Sequence, residues 1–416
     1  MNEVKTVLAI GLVLLSIGCR PSTIAREDVA VVAEGNAEAS IDAISEPIAI
    51  EPLVSYPFTA EQLLTARLPH QDTKEGVIRL FDTATLFGWE IFEAGNWRVE
   101  DQAIVIAADK PTILATSASF RDVELTFEIQ AEQGTEARLL LRAPFGPKDV
   151  VTPSVEIDLL GAIGDDQSES ENEAEWLSVK VAIEGEQAVV NVADLEPVEV
   201  KVEPIDSPRG RIAFRLTKGL MKVRDIRARP LGFESLVDGD LSKWKQYPDM
   251  DGKFEISDGR LHIQGGLGQL ESASSFGDFA VLVDYQLANA DVNSGLFFRC
   301  IPGDRLMGYE CQMNHSIEEG DPLRPADCGS GGIFRRQDAR AVLGLGDEPT
   351  TLMLIADGPS ISAWVNGVQV SNWYDSRESD ENPRRGQRLE PGTLMIQAHD
   401  PTTELWIDEI KVAELR

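Results

Sequence analysis

Apolar and polar residues alternate in short runs along most of the chain. From about Val77 onward, runs rich in Val, Ile, Leu and Phe are separated by Gly, Asp and Pro turns at intervals of roughly ten residues. This spacing is typical of all-β sandwiches, and long stretches with helical periodicity are absent. The pattern therefore predicts an all-β fold.

The strand pattern occurs twice. Leu140-Leu141-Arg142 recurs as Phe297-Phe298-Arg299, and the segments around this pair recur in the same order. We therefore predict two related domains, 77–230 and 231–416, joined near Pro230 and each long enough to bury a core of its own. Other recurring segments are 80–82 with 236–238, 97–101 with 254–258, 120–123 with 276–279 and 155–158 with 309–312.

The N-terminus carries the features of an export signal. Residues 6–18 hold no charged side chain, follow Lys5, and are too few to span a bilayer as a helix. Small residues directly precede Cys19, as in a bacterial lipobox, so 1–19 is predicted to be a lipoprotein signal peptide with Cys19 lipidated. The alternative is an ordinary secretory signal with an incidental cysteine. We expect an exported protein, anchored to the membrane by lipid in the periplasm or at the cell surface.

The segment 20–76 differs in amino-acid composition from the rest of the chain. It is rich in Ala, Glu, Ile, Ser and Pro, and its only aromatic residues are Tyr56 and Phe58. This composition predicts an extended acidic tether. Within it, Thr59-Ala60-Glu61-Gln62 has the form of a capping box and predicts one short helix.

The net charge of the chain limits the classes of molecule that it can bind. With 70 Asp and Glu against 38 Lys and Arg, the formal net charge is −32. Such a chain is repelled by phosphate backbones, so we expect no nucleic-acid partner.

Three strand-like segments of the second domain place polar side chains on one face, because side chains alternate along a strand. If the segments are neighbours, these polar groups converge on one concave surface. The alternative is a solvated outer face with an incidental Arg–Glu pair. The residues concerned are Arg299, Glu310, Gln312, Gln397 and His399. Two nearby segments favour a site: Asn293-Ser294-Gly295, and the glycine-rich 328–336, which carries Arg335.

The second domain resembles the bacterial 3-keto-disaccharide hydrolase family, whose fold is a concanavalin/laminin-G-like jelly roll. The resemblance implies two tandem jelly-roll sandwiches after the signal peptide and tether, with the first domain a divergent copy. That copy keeps Arg142 and Glu156 at the matching places but has Thr217 where His399 falls. The resembling segments are 236–239 with Trp244, 256–261, 276–279, 293–299, 309–312, 331–333, 364–367, and Gln397 with His399.

The resemblance also implies a chemistry and a carbohydrate partner. The family acts on glycosides oxidised at C3, whose C2 proton is acidified by the carbonyl, so that an enolate forms, the C1 substituent leaves and water adds. We expect His399 or Glu310 as the base, the other as the acid, and Arg299 with Asn293 at the enolate oxygen. The residues expected to bind substrate are Gln312, Gln397, Arg335, Trp373 and Tyr374.

The same groups have a second use as metal ligands. Glu310, His399, Asp400 and His315 offer oxygen and imidazole donors suited to a divalent ion, although no compact ligand motif is present. No cofactor is otherwise indicated.

Three cysteines in the second domain leave the disulfide pairing open. On the strand pattern Cys300 and Cys311 point into the same layer, whereas a bridge between Cys311 and Cys328 would fix the glycine-rich segment to the sheet.

Two other functions compete with the enzyme. One is a non-catalytic glycan-binding protein, because this sandwich also serves as a binding module. The other is a structural or adhesive lipoprotein whose acidic surface keeps it soluble or binds Ca²⁺.

Overall fold

The computed structural model describes residues 58–93, 95–144, 155–160, 175–193, 195–202, 208–237 and 239–415. Residues 1–57, with the predicted signal peptide, Cys19 and most of the tether, lie outside the described residues. Within the described part of the chain, no helix has the length and apolar character that a membrane span requires.

The described elements are almost entirely strands. The helices are α1 (Ala60–Thr65) and α2 (His70–Lys74). The strands of the first domain are β1 (Ile78–Arg79), β2 (Trp89–Phe92), β3 (Arg98–Glu100), β4 (Ala103–Ala108), β5 (Thr112–Phe120), β6 (Val123–Ala131), β7 (Glu136–Ala143), β8 (Val155–Asp158), β9 (Leu177–Glu184), β10 (Gln187–Val192), β11 (Val198–Lys201) and β12 (Gly210–Pro230).

The second domain continues the numbering. Its strands are β13 (Glu234–Ser235), β14 (Trp244–Gln246), β15 (Lys253–Ser257), β16 (Arg260–Gln264), β17 (Gly268–Phe276), β18 (Phe279–Leu287), β19 (Ser294–Cys300), β20 (Tyr309–Met313), β21 (Thr350–Asp357), β22 (Ser360–Val365), β23 (Val368–Tyr374), β24 (Gly392–Ala398) and β25 (Glu404–Glu414). The prediction of an all-β chain with two related domains is confirmed.

Each domain is an antiparallel jelly-roll sandwich of a larger and a smaller sheet. In the first domain the larger sheet has the order β11-β10-β9-β6-β12-β4-β3, with β1 also on β12. The smaller sheet is built from β2, β5, β12, β7 and β8. The long strand β12 belongs to both sheets: its residues 210–218 pair with β5 and β7, and its residues 219–230 pair with β4 and β6.

The second domain repeats this plan with one break. Its eight-stranded sheet has the order β15-β16-β25-β18-β21-β22-β23, with β13 on β25, and its five-stranded sheet has the order β14-β17-β24-β19-β20. Two separate strands, β24 and β25, take the places of the two halves of β12. His399 to Thr403 lie in the interruption.

Apolar side chains from both sheets of each sandwich meet between the layers. In the first domain Phe127 packs edge-on against Phe214, with ring centroids 5.3 Å apart, and in the second Phe279 packs similarly against Phe298 at 6.2 Å. The core of the first domain extends to side chains of the eight-stranded sheet, including Leu282. The two sandwiches therefore pack against each other through apolar surface, which favours a fixed arrangement.

The end of the predicted tether is folded, which corrects that prediction for residues 58–76. The capping box is confirmed: Gln62 N–H donates to Thr59 Oγ1 at 3.2 Å, and the Gln62 side chain accepts from Thr59 N–H at 2.8 Å. Leu63 and Ala66 are buried in the core of the second domain, and His70 contacts Asp284 at 2.8 Å. Burial of these apolar side chains stabilises a segment that composition alone marked as extended.

Candidate functional site

Polar side chains lie on the outer face of the five-stranded sheet, meaning the face turned away from the core. Side chains alternate, so Leu296, Phe298 and Cys311 join the core while Phe297 and Met395 form a separate cluster on the outer face. The register then sets two rows on that face. One row is Glu310, Phe297, Met395, Glu271 and Lys245; the next is Gln312 with Gly295 on β20 and β19, and Gln397 with Gln269 on β24 and β17.

Glu310 is half-buried, and its pKa departs from the usual range of a carboxyl group. Burial raises the pKa of its carboxyl group to about 7, with a further rise from Asp327 and opposing contributions from Arg384 and Arg335. Gly295 makes room for it, since a Cβ atom at that position would lie 2.9 Å from Glu310 Oε1. A carboxyl group with this pKa exchanges its proton near neutral pH.

A cavity of about 140 Å³ adjoins Glu310. Two loops form its walls, 314–349 between β20 and β21 and 375–391 between β23 and β24. The first loop is fixed to β20 because Phe334 N–H donates to Glu310 O at 2.9 Å. The cavity is lined by Phe297, Gly308, Tyr309, Glu310, Ile333, Phe334, Arg335, Arg336, Pro383 and Arg384.

Asn293, Gln312 and Asp327 form a hydrogen-bonded group beside Glu310. Asn293 Nδ2 donates to Asp327 Oδ2 at 3.0 Å, and Gln312 Nε2 donates to Asp327 Oδ2 at 3.1 Å and to Asn293 Oδ1 at 3.2 Å. Gln312 Oε1 and Gln397 Oε1 are buried without a hydrogen-bond partner. An unpaired buried acceptor is costly, so these two oxygens are suited to accept hydrogen bonds from a ligand.

His399 lies on the same face at its far end. Its Nδ1 contacts Asp400 Oδ2 at 2.9 Å, and hydrogen bonds from Thr402 and then His399 lower the pKa of Asp400 to about 2. His399 follows β24 four residues beyond Met395, which is in the row of Glu310, so it lies roughly 13 Å further along the strand direction. This offset separates His399 from Glu310, the two residues expected to act as acid and base.

Arg299 is not on the outer face, which corrects its expected role at the enolate oxygen. A register shift after Phe297 and a left-handed backbone at Arg299, with φ of 49°, turn the side chain toward the β17–β18 and β21–β22 turns. The guanidinium group is fully buried and donates to Gly277 O at 3.0 Å, Gly358 O at 2.7 Å and Asp278 Oδ1 at 3.0 Å. Arg299 therefore holds three chain segments together.

The same irregularity separates two cysteines that alternation placed in one layer. Cys311 is in the core of the second domain, while Cys300 belongs to the outer cluster. Cys300, Cys311 and Cys328 are buried free thiols, so neither of the two alternative disulfides is formed.

Trp373 and Tyr374, expected to bind substrate, lie elsewhere. They end β23 in the eight-stranded sheet, and neither lines the cavity beside Glu310. Trp373 packs edge-on against Tyr309 with ring centroids 6.1 Å apart, and Arg377 lies 5.5 Å from its ring centroid, while Tyr374 is 62% exposed. Arg335, by contrast, lines the cavity as an exposed side chain.

His315, considered as a metal ligand, is a buried histidine of the core. Its Nδ1 contacts Gly346 O at 3.0 Å and its Nε2 contacts Tyr285 Oη at 3.2 Å, and burial lowers its pKa to about 4. In the described ranges, no group of three or more His, Cys, Asp or Glu side chains has the arrangement of a metal site.

The sequence analysis did not identify the residues of β17 on the outer face, Gln269 and Glu271. Gln269 accepts from Leu306 N–H at 2.9 Å, and Glu271 accepts from Gly303 N–H at 3.0 Å, so both hold the β19–β20 loop against the sheet. Glu271 also accepts from the hydroxyls of Thr393 and Tyr247. The alternation of Gln269 and Glu271 with Leu270 was the available signal. Asp327 and Arg384 lie on loops, where no alternating pattern in the sequence indicated them.

The matching face of the first domain is occupied by ion pairs. Glu156 contacts Arg138 at 3.1 Å and also pairs with Arg215. These arginines stand where the second domain has Gly295 and Gln397, because Arg142 aligns with Arg299 and Thr217 with His399. The carboxylate of Glu156 is therefore neutralised by its own domain.

Comparison with known proteins places these features in a family. A family model described as the 3-keto-alpha-glucoside-1,2-lyase-like domain matches residues 76–229 and again 232–413. No curated protein matches the chain.

The similar solved structures named next each cover less than half of this chain. A provisionally assigned glycosyl hydrolase from Parabacteroides distasonis is 18% identical with a TM-score of 0.36, covering 44% of this chain and 94% of its own. A carbohydrate binding module from Bacillus subtilis is 14% identical with a TM-score of 0.30, covering 44% and 100%. A Bacillus subtilis protein of unknown function with a galectin-like fold is 18% identical with a TM-score of 0.30, covering 44% and 95%. Since the family model matches most of the 416 residues in two consecutive copies, the chain belongs to the family of 3-keto-alpha-glucoside-1,2-lyase-like domains and is a carbohydrate-active protein.

Proposed function

We propose that the second domain cleaves 3-keto-glycosides at the outer face of its five-stranded sheet. The carbonyl at C3 acidifies the C2 proton, and a base removes it to give an enolate. The enolate expels the C1 substituent, whose oxygen takes up a proton, and water then adds across the new C1–C2 double bond. The first domain would not take part in the chemistry.

The observation that carries this proposal is Glu310. A general base works best when its pKa lies near the working pH, and burial raises the pKa of Glu310 to about 7 beside a cavity. Because the leaving oxygen is bonded to C1, next to C2, one carboxyl group can take the C2 proton and return it to that oxygen. In this proposal Glu310 carries out both proton transfers, from C2 and to the leaving oxygen.

The other polar groups fit substrate binding and charge stabilisation. The unpaired Gln312 Oε1 and Gln397 Oε1 can accept hydrogen bonds from sugar hydroxyls. The guanidinium groups of Arg335 and Arg384 act electrostatically on Glu310, so they are near enough to stabilise an enolate oxygen formed there. Asn293 is occupied by Asp327 and Gln312, which suits a role in holding Gln312 in place.

His399 is assigned to the far part of the substrate. Its Nδ1 faces Asp400, so its Nε2 is left to contact a ligand that extends along the sheet. In this assignment His399 contributes binding more than chemistry.

The test is product analysis with 3-keto-disaccharides, comparing Glu310→Gln with Glu156→Gln at the matching position of the first domain. We expect Glu310→Gln to lower kcat by at least about 100-fold and Glu156→Gln to leave it unchanged. His399→Gln should raise KM more than it lowers kcat.

The pH dependence has a defined sign. If Glu310 is the base, kcat/KM falls as the pH drops below about 7, because the carboxylate becomes protonated. Cleavage that survives in Glu310→Gln would remove the assignment. Glycan binding without any cleavage would instead identify the protein as a binding module.

We also propose that the protein is exported and anchored through a lipid on Cys19. The support is the apolar, uncharged 6–18 followed by small residues and a cysteine. Labelling with a radioactive fatty acid should mark the unchanged protein and not Cys19→Ser; equal labelling of both would contradict the anchor.

A further inference from the structure

Three arginines surround the cavity beside Glu310 without a carboxylate partner. Arg335, Arg336 and Arg384 line the cavity, and within the described residues none of them has an acidic oxygen within 4.0 Å. Arg336 donates to Arg384 O at 2.8 Å, and Arg384 donates to Leu306 O at 2.9 Å, so both contact backbone carbonyls. The guanidinium group of Arg335 lies 5.2 Å from the ring centroid of Phe334.

Three neighbouring arginines on the same two loops do pair with carboxylates. Arg340 pairs with Asp82 at 2.7 Å, Arg377 with Asp375 at 2.8 Å and Arg385 with Asp380 at 3.0 Å. Arg388, on the second loop, also donates only to backbone carbonyls, those of Arg299 and Glu381. Carboxylates are abundant in a chain with a net charge of −32, so three arginines without a carboxylate around one cavity do not reflect a shortage of acidic residues.

The arrangement carries an electrostatic cost in the free protein. Burial and the neighbouring Arg377 and Arg335 lower the pKa of Arg336, which means that its positive charge is disfavoured where it stands. An anion placed between these groups would relieve that cost and form charge-assisted hydrogen bonds.

The positive charge also exceeds what the proposed reaction needs. The lining holds three guanidinium groups and one carboxyl group, that of Glu310. The reaction develops a single negative charge, on the enolate oxygen. Proton transfer from C2 to the Glu310 carboxylate moves one negative charge from that carboxylate to the enolate oxygen, so only one of the two is charged at a time. Two of the three positive charges therefore remain unmatched.

We propose that the substrate is an anionic glycoside, whose leaving group at C1 carries a carboxylate or a sulfate ester that Arg336 and its neighbours bind. This inference rests on the proposed function, since it assigns the leaving group of that reaction. The leaving group is the part of the substrate bonded next to C2, so its substituents are within reach of a cavity lined by Glu310.

The experiment compares three 3-keto-glucosides that differ only in the leaving sugar: neutral glucose, glucuronate, and glucose bearing a sulfate ester. We expect kcat/KM to be about 10-fold or more higher for at least one anionic substrate than for the neutral one. Arg336→Gln should lower this ratio toward one. Arg385→Gln, which removes an exposed and paired arginine from the neighbouring position to Arg384, should leave it unchanged.

Salt gives a second measurement that needs no variant. Because the contact is ionic and partly exposed, raising the ionic strength should reduce the preference for the anionic substrate while turnover of the neutral one changes little. The carboxylate and sulfate arms separate the two sources of negative charge.

The outcomes distinguish the two proposals. Turnover of the neutral substrate at an equal or higher kcat/KM than both anionic ones would overturn the anionic leaving group and leave the proposed function standing. A preference for anions that Arg336→Gln and Arg385→Gln leave equally intact would also overturn it. No turnover of any of the three would overturn the proposed function, and this inference with it.

Discussion

Arg142 in the first domain and Arg299 in the second make matching hydrogen bonds. The carboxylates on the nearby sheet faces differ, because Glu156 is paired with arginines whereas Glu310 lies beside a cavity. Arg142 donates to Arg121 O at 2.7 Å, Gly185 O at 2.8 Å and Asp122 Oδ1 at 2.6 Å. These partners match those of Arg299 one for one, and both arginines have a left-handed backbone. The two domains therefore share these structural hydrogen bonds, which together with the sandwich strands are called the frame below.

The faces built on that frame have diverged. Where the second domain has Gly295 and Gln397, the first has Arg138 and Arg215, which pair with Glu156. The aligned registers also set Ile113 and Ala115 of β5 at the places of Gln269 and Glu271 of β17. Chemistry on this fold therefore depends on a few outward side chains, and not on the sandwich that carries them.

The second difference lies in the backbone. The strand β12 runs unbroken through both sheets of the first domain, whereas the matching strands β24 and β25 are interrupted at His399 to Thr403. Thr403 Oγ1 accepts from His399 N–H and Asp400 N–H, both at 3.1 Å, and stabilises the interruption. The break presents His399 and Asp400 at the end of the outer face, where the first domain has only continuous strand.

The largest effect tests the shared frame. Arg142→Ala and Arg299→Ala should each destabilise their domain by about 3–5 kcal/mol, because each leaves a carboxylate and two carbonyls without their buried donor. Calorimetric unfolding should show a lower Tm for both. Arg385→Ala, which removes an exposed ion pair, is the control and should change Tm little. An Arg299→Ala variant with a normal Tm and lost activity would contradict the structural role.

The next effect tests the different surroundings of the two carboxylates. Since the folded pKa of Glu310 is about 7 against 4.5 in the unfolded chain, its ionisation costs stability as the pH rises between these values. Glu310→Gln should therefore be more stable than the unchanged protein by up to about 3 kcal/mol above pH 7, and the difference should vanish below pH 4.5.

The matched variant Glu156→Gln should change stability by no more than about 1 kcal/mol at any pH, because it loses only partly exposed ion pairs. Denaturant unfolding across the pH range measures both. Equal profiles for the two variants would show that Glu310 is not set apart by its burial.

A third test converts one face into the other. Gly295→Arg places in the second domain the arginine that the first has at Arg138, and its Cβ atom alone would lie 2.9 Å from Glu310 Oε1. Activity should fall by at least about 100-fold, because the new cation displaces Glu310 or holds it ionised and paired. The reciprocal Arg138→Gly in the first domain should leave activity intact, and full activity in Gly295→Arg would mean that the open face is not the site.

The smallest expected effect concerns a tryptophan hydrogen bond that both domains share. Trp89 Nε1 donates to Leu80 O at 2.6 Å, and Trp244 Nε1 donates to Leu236 O at 2.8 Å. Trp89→Phe and Trp244→Phe should each cost about 1 kcal/mol from the lost hydrogen bond, with little change in activity. A clearly larger loss in one copy would mean that the two frames are less alike than their hydrogen bonds indicate; thermal unfolding of the two variants makes the comparison.

Much of the candidate site was predictable, and the failures share a cause. Alternation correctly put Glu310, Gln312 and Gln397 on one face, because these residues lie in regular strands. It failed at Arg299, because the backbone irregularity there is stabilised by Asp278 and two carbonyls on other segments. Trp373 and Tyr374 were expected to bind substrate, but they end the strand β23, and Trp373 packs against Tyr309.

The amino-acid sequence alone determined that the chain is all-β, that it contains two copies of one domain, and that the second copy turns a polar face outward. These properties follow from hydrophobic alternation and from repeated segments, which are local along the chain. Only the tertiary structure decided that Glu310 is half-buried beside a cavity, that Arg299 belongs to the frame, and that residues 58–76 fold onto the second domain. Desolvation and packing depend on which distant segments meet, and the loops whose packing raises the pKa of Glu310 approach it only in the folded chain.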